Sequence, residues 1–427
     1  MKLKDKHAEG KNPAARDFKP RESLLTVLGR GKNFQFVLNL CFASCLSSVL
    51  SYALKDYERE GWPYCGTRLL RSAFAGLHVA LLIWLYMFLS SLGVYFAFIC
   101  WAHLRKQVQR KPLLDTTFAS LYLLYTIALQ YYATKMNLTS GLGVISSLAL
   151  MMEMVRIVMK THSFIRTNAP KCCNSDKSGP GPTFARYLYF HFAPTLLYKD
   201  VYPRSKCIRW GFIGSCFSEI LIIVVLSSVL FENSYMYHLR DYGLRKYTFL
   251  EICTIAVQYF YLGYVTLFFA GYLFLHTYFN LTAEFLRFAD RQFYEDWWTS
   301  VNLDDYFRKW NPIVYEWLYV FVYKECRDHF APEKTQFARL LTLLLSGLYH
   351  DFIMCISCRL FMPFFTFGYG FIFLLRSLKG KRSLVVSYGI QVSMGFTIWT
   401  MEYYARQNCP RVQDGILDVL IPRFVYC

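Results

Sequence analysis

Runs of about twenty apolar residues, separated by polar and often basic loops, recur from end to end of this chain and constrain its fold more than any other feature. That is the length an α-helix needs to cross the hydrocarbon core of a bilayer. With 55% hydrophobic, 19% aromatic and only 18% charged residues, the chain is too apolar for a soluble protein. The expected class is an all-α polytopic membrane protein.

Setting the apolar blocks against the loops predicts about nine spans. They cover Phe34–Leu54, Phe74–Trp101, Leu113–Tyr131, Leu138–Val158, Trp210–Phe231, Phe249–Leu275, the run that carries His350, Phe361–Leu375 and Leu384–Tyr403. The stretch from Lys171 to Pro182, rich in Gly, Pro, Ser and Asn, is a loop by composition. Residues 1–33 are expected to form a basic cytosolic tail without an apolar leader, and residues 34–427 a single membrane-embedded domain.

The net charge of +18 points to basic cytosolic loops rather than to nucleic acid, because the basic residues form no recognition motif. A cytosolic amino terminus puts Arg105, Lys106, Arg110, Lys111, the basic loop from Lys160 to Arg209, and Arg376, Lys379, Lys381 and Arg382 on the cytosolic side. The carboxyl terminus then lies in the lumen. Fourteen cysteines show no metal-ligand spacing, so no metal is expected. In the oxidising lumen Cys409 and Cys427 are either a disulfide or two unrelated thiols.

Between the sixth and seventh spans the chain changes character. Leu281, Phe285, Ala289, Phe293 and Trp297 recur every four residues among Glu284, Arg287, Asp290, Arg291 and Glu295, which predicts an amphipathic helix lying in the interface. The run from Trp310 to Tyr323 is apolar but short, and predicts a partly immersed helix rather than a full span. The whole interfacial segment covers residues 281–323.

His350 is the candidate functional residue, because an ionisable side chain at membrane depth is costly unless it is paired or useful. It is either a general base that takes a proton from a hydroxyl or a structural histidine joining neighbouring helices. Burial favours the neutral imidazole that such a base needs. Asn311 could donate a hydrogen bond to an oxyanion or orient the hydroxyl. Ser346 lies one turn before His350 on the same helix face, but no nucleophile elbow, P-loop or dinucleotide fingerprint accompanies it. Asp351 is adjacent to His350 and faces away from it unless the backbone bends. Trp297 and Trp298 read equally as interfacial aromatics.

At these residues the chain resembles a known family. Phe293-Tyr294-Glu295-Asp296-Trp297-Trp298 is similar to the FYxDWWN signature of the sterol and diacylglycerol branch of the membrane-bound O-acyltransferases. Trp310-Asn311 resembles the WN pair of that branch, and His350 falls at the position of its catalytic histidine. The segments Val155–Arg166 and Tyr187–Arg204, with the ending Glu402–Pro410, Pro422-Arg423 and Cys427, resemble the sterol O-acyltransferases in particular.

The resemblance implies a nine-helix membrane domain with a tunnel reaching His350, acyl-CoA entering from the cytosol and sterol from the bilayer. It implies His350 and Asn311 as catalytic residues, with Trp310, Tyr306, Tyr323 and Ser346 along the acyl-CoA path. It further implies a lumenal Cys409–Cys427 bridge, the endoplasmic reticulum membrane as location, a homodimer or dimer of dimers, and no cofactor beyond acyl-CoA as substrate. Three positions depart from the family pattern: Thr299 replaces the last Asn of the signature, Tyr315 a histidine, and Asp351 a glutamate. Diacylglycerol or a long-chain alcohol is the alternative acceptor. A non-catalytic lipid transporter is the reading from another class, and no internal repeat supports it. The sequon at Asn137 hugs the predicted lumenal membrane face, and the one at Asn280 faces the cytosol.

Overall fold

The computed structural model describes residues 18–173, 181–300, 303–330, 332, 334–375, 384–412 and 417–427. Every predicted span contains a helix. Extended pairing among the described residues is limited to isolated bridges, such as Arg21 with Asp290 and Arg204 with Phe288. Among the described residues six helical stretches are long and apolar enough to cross a membrane: Lys32–Glu60, Thr67–Gln107, Lys111–Thr139, Trp210–Leu239, Phe260–Phe285 and Thr335–Cys358.

The helix Val144–Cys173 is not among them because Glu153, Arg156 and Lys160 interrupt its apolar run, and these three charges are bonded within the protein. Glu153 accepts hydrogen bonds from the Trp84 indole at 2.9 Å and from Arg156 Nε at 2.7 Å. Arg156 donates to the His191 carbonyl. Lys160, 1% exposed, donates to the carbonyls of Phe190, His191 (3.0 Å) and Ala193 (2.7 Å) at the end of helix Phe184–Phe192. Each buried charge has a partner, which is the condition for its being there. Lys32–Glu60 is the opposite case, with no buried residue along its 29 positions.

Two apolar clusters position the site. One joins Phe98, Trp101, Phe164 and Tyr187 to Phe288, Phe293, Trp297, Tyr306 and Ile313. The other joins Met87, Leu129, Leu150, Met154 and Ile157 to Phe352, Ile353 and Ile356 on the helix that carries His350.

The amphipathic helix expected over Leu281–Trp298 does not form. A helix covers Phe279–Phe285, Arg287 adopts the left-handed region at φ 55°, and only a single 3-10 turn follows at Trp297–Thr299. Of the alternating charges that suggested a wet face, Glu284, Asp290 and Arg291 are buried and paired, while Arg287 stays exposed. Glu284, wholly buried, accepts from the backbone N–H of Arg209 at 2.8 Å, from its Nη2 at 2.9 Å, and from Arg291. Once such partners exist, the four-residue spacing no longer requires a helix. The short apolar run after Trp310 does become a helix, Pro312–Leu318, which widens into π turns at Tyr319–Tyr323.

At the carboxyl end Cys409 and Cys427 are bonded, with Cα atoms 6.0 Å apart. Gly243, at φ +87°, lies against them where a Cβ would overlap both sulfurs. Beside the bridge Asp418 is held between Arg423 Nε and Arg406 Nη1, each at 2.8 Å. The hydrogen bond from Arg423, outweighing burial, keeps its carboxyl below the ordinary range. Asn137 is 1% exposed and accepts from Ser147 Oγ at 2.8 Å, which leaves no room for a glycan.

Candidate active site

The helix Thr335–Cys358 carries two pairs of residues spaced by one turn, and the pairs do different work. Gly347 and Asp351 are buried and dock the following helix, Phe364–Leu375. A Cβ at Gly347 would stand 2.9 Å from Thr366 Cα, so only glycine permits that approach. Asp351 Oδ1 accepts the N–H of Phe365 and Oδ2 that of Thr366, both at 2.8 Å. The carboxylate thus caps a neighbouring helix at its positive end. Capping fixes the rings of Phe365 and Tyr369, whose centroids lie 5.2 Å and 6.2 Å from that of His350.

Ser346 and His350 form the other pair. His350 is exposed on the surface of the chain, with the rings of Phe365 and Tyr369 from the following helix beside it. Its Nδ1 lies 2.7 Å from the Ser346 carbonyl oxygen. A carbonyl only accepts, so Nδ1 carries a proton, and in the neutral form of the ring the lone pair lies at Nε2. Ser346 therefore acts on the histidine through its backbone rather than its hydroxyl.

A second wall comes from the signature and the WN pair. Phe293, Tyr294 and Trp297 are all buried. Trp297 meets Trp310 edge to face at 4.6 Å, and Tyr306 stacks on Trp310 at 5.7 Å. The edge of Trp310 fills the space over Gly271, where a Cβ would sit 3.0 Å from Cη2. Phe307, beside Tyr306, meets Tyr369 edge-on at 5.0 Å, so a continuous set of rings links this wall to His350. Trp298 is half-buried against Trp297 at 5.6 Å.

Asn311 caps the helix Pro312–Leu318, its Oδ1 accepting from Val314 N–H at 3.3 Å. Its amide N–H groups have no hydrogen-bond partner among the described residues, and no hydrogen bond joins it to His350 there. Asp296 lies 2.8 Å from the Thr299 hydroxyl and 3.1 Å from Lys309 Nζ. Burial raises its carboxyl, but Thr299 and Lys309 together hold it below its ordinary range. The threonine therefore still bonds within the turn where the signature has asparagine. Tyr323 stacks on Tyr319 at 5.3 Å and packs with Ala338, near the start of the His350 helix rather than beside the imidazole.

Sequence reasoning missed Asp351 as a cap and Gly347 as the docking surface. The signal available was the Gly-x-x-x-Asp spacing on one face, followed by an apolar helix after Pro363.

The chain matches the model of the membrane-bound O-acyltransferase family over residues 113–406, a span that includes both walls. It is similar to sterol O-acyltransferase 1 of Mus musculus, at 32% identity across 96% of this chain and 79% of the relative. Sterol O-acyltransferase 1 of Rattus norvegicus is 30% identical across 96% of this chain and 78% of the relative. Sterol O-acyltransferase 2 of Homo sapiens is 29% identical across 95% and 79%.

Proposed function

The chain belongs to the membrane-bound O-acyltransferase family, and we propose that it moves a long-chain fatty acyl group from acyl-CoA to the hydroxyl of a sterol, with His350 as general base. The observation that supports the base assignment is the Nδ1 contact with the Ser346 carbonyl, which makes Nε2 the basic nitrogen of the neutral ring on an accessible side chain. Nε2 takes the hydroxyl proton as the sterol oxygen attacks the thioester carbonyl. The tetrahedral intermediate then collapses, the C–S bond breaks, and the imidazolium returns the proton to the departing CoA sulfur. The products are sterol ester and CoA, and no cofactor takes part.

Asn311 fits as the donor to the oxyanion, since its carbonyl oxygen is engaged as a helix cap while its N–H groups are not. Trp310, Tyr306, Tyr323 and Ser346 are assigned to the acyl-CoA path. The enzyme is placed in the endoplasmic reticulum membrane, multi-pass, with a cytosolic amino terminus and a lumenal carboxyl terminus. A homodimer, with a dimer of dimers as the larger form, is the proposed assembly.

Microsomes expressing the chain, given labelled oleoyl-CoA with cholesterol, diacylglycerol or a long-chain alcohol, test the acceptor. Label is expected in sterol ester. Label found only in triacylglycerol or wax ester would transfer the assignment to those acceptors.

A further inference from the structure

The segment before the first long helix is docked onto the signature turn, far away in sequence. Backbone hydrogen bonds run from Arg21 N–H to the Ala289 carbonyl at 2.9 Å and from Arg291 N–H to the Arg21 carbonyl at 3.0 Å. The Arg21 side chain pairs with Asp290, Nε to Oδ1 at 3.1 Å, and also donates to Gln292. Two residues on, Ser23 is 1% exposed, and its hydroxyl accepts from Asn280 Nδ2 at 3.1 Å and lies 3.3 Å from His276 Nδ1.

Tyr294, of the signature, completes the cluster. Its hydroxyl accepts the Leu25 N–H at 3.1 Å and sits 2.7 Å from His276 Nδ1. Asn280 Nδ2, which can only donate, also lies 3.3 Å from Nδ1, so Nδ1 is the acceptor and the phenol donates to it. A buried polar cluster such as this does less for stability than an apolar filling of the same shape, but it fixes one geometry. The geometry fixed is that of the turn leading to Trp297. The far side of the turn bonds the catalytic wall directly, since Glu295 N–H donates to the Lys309 carbonyl at 2.8 Å, one residue before Trp310.

We propose that residues 19–25 are a latch, and that Arg21 and Ser23 are positioning residues which hold Tyr294 and Asp290 so that Trp297 sets the Trp310–Asn311 turn. The inference rests on the proposed role of Asn311 at the reacting centre. Because the latch acts on the placement of that turn, releasing it lowers kcat more than it raises the KM for acyl-CoA.

The test is the charge exchange across the pair in full-length enzyme purified in detergent. Arg21→Asp and Asp290→Arg are each expected to lower kcat about tenfold with KM for oleoyl-CoA within about twofold. The double variant is expected to recover to within about threefold of the parent. Ser23→Ala, which removes one hydroxyl and no charge, is expected to lower kcat about threefold, and it serves if the charged variants do not fold. Full kcat in Arg21→Asp or Ser23→Ala overturns the latch, as does loss of activity that tracks thermal denaturation and is not recovered by the exchange. His350→Ala separates the two proposals: retained turnover there removes the base assignment and leaves the exchange result to judge the latch.

Discussion

Asp351, in the histidine wall, bonds residues 14 and 15 positions along the chain. Tyr294, in the signature wall, is bonded by Leu25, 269 positions away. The first wall is one helical hairpin that sets its own geometry through a glycine contact and a carboxylate cap. The second ties Gly271, Trp297 and Trp310 to a segment around Leu25 and so depends on contacts between parts of the chain far apart in sequence. Changes within the hairpin should therefore act abruptly and locally, whereas the signature wall should lose function by degrees.

The largest expected effect is at His350. Alanine or glutamine there should reduce acyl transfer by about a thousandfold at unchanged expression, measured as sterol ester formed in microsomes. Retention of a tenth of the activity by both would break the contrast, since the hairpin would then position nothing essential.

Asn311→Ala comes next, at about a hundredfold in kcat if its amide stabilises the oxyanion. The cap it provides to Pro312–Leu318 accounts for about 1 kcal/mol of stability, so Asn311→Asp, which keeps the cap and removes the donors, sharpens the test. Full turnover by the aspartate variant would assign the residue to capping alone.

Asp351→Ala should lower activity about tenfold and reduce the detergent melting temperature, because two N–H groups lose their acceptor together. Asp351→Asn keeps an acceptor for only one of them and should fall between parent and alanine. Equal activity in all three would mean that the cap does not control the rings over His350.

The smallest effect is expected far from both walls. Cys409 and Cys427 should react with maleimide only after reduction, and Cys409→Ser should stay within about twofold of parent activity while melting earlier. Labelling without reductant would contradict the bridge.

Apolar run length predicted a helix in each span, and the motif residues directed attention to His350 and Trp310-Asn311, because both signals are local in sequence. The cytosolic or lumenal side of each loop is a charge argument that the fold itself does not address. What escaped the sequence is pairing at a distance. The charges of Glu284, Asp290 and Arg291 have the spacing of an amphipathic helix, yet their partners, Arg209 and Arg21, lie outside any local window. The same blindness applies to Val144–Cys173, where hydropathy counts Glu153, Arg156 and Lys160 as evidence against burial, although each is buried or half-buried in a bonded position. Asp351 is an intermediate case, near enough in sequence to be found once the Gly347 spacing is noticed.

Lys160 has a consequence of its own. Its ammonium gathers three carbonyl oxygens that would otherwise point at one another across the end of Phe184–Phe192. A bound cation does the same in many tight loops, but this one is tethered to the chain and cannot be washed out or exchanged. The turn after Phe192 is thus built around a tethered donor that stands where a metal ion would in such a loop. A methionine of similar length would fill the same volume, take this donor from the Phe190 and Ala193 oxygens, and leave the His191 oxygen to Arg156 alone.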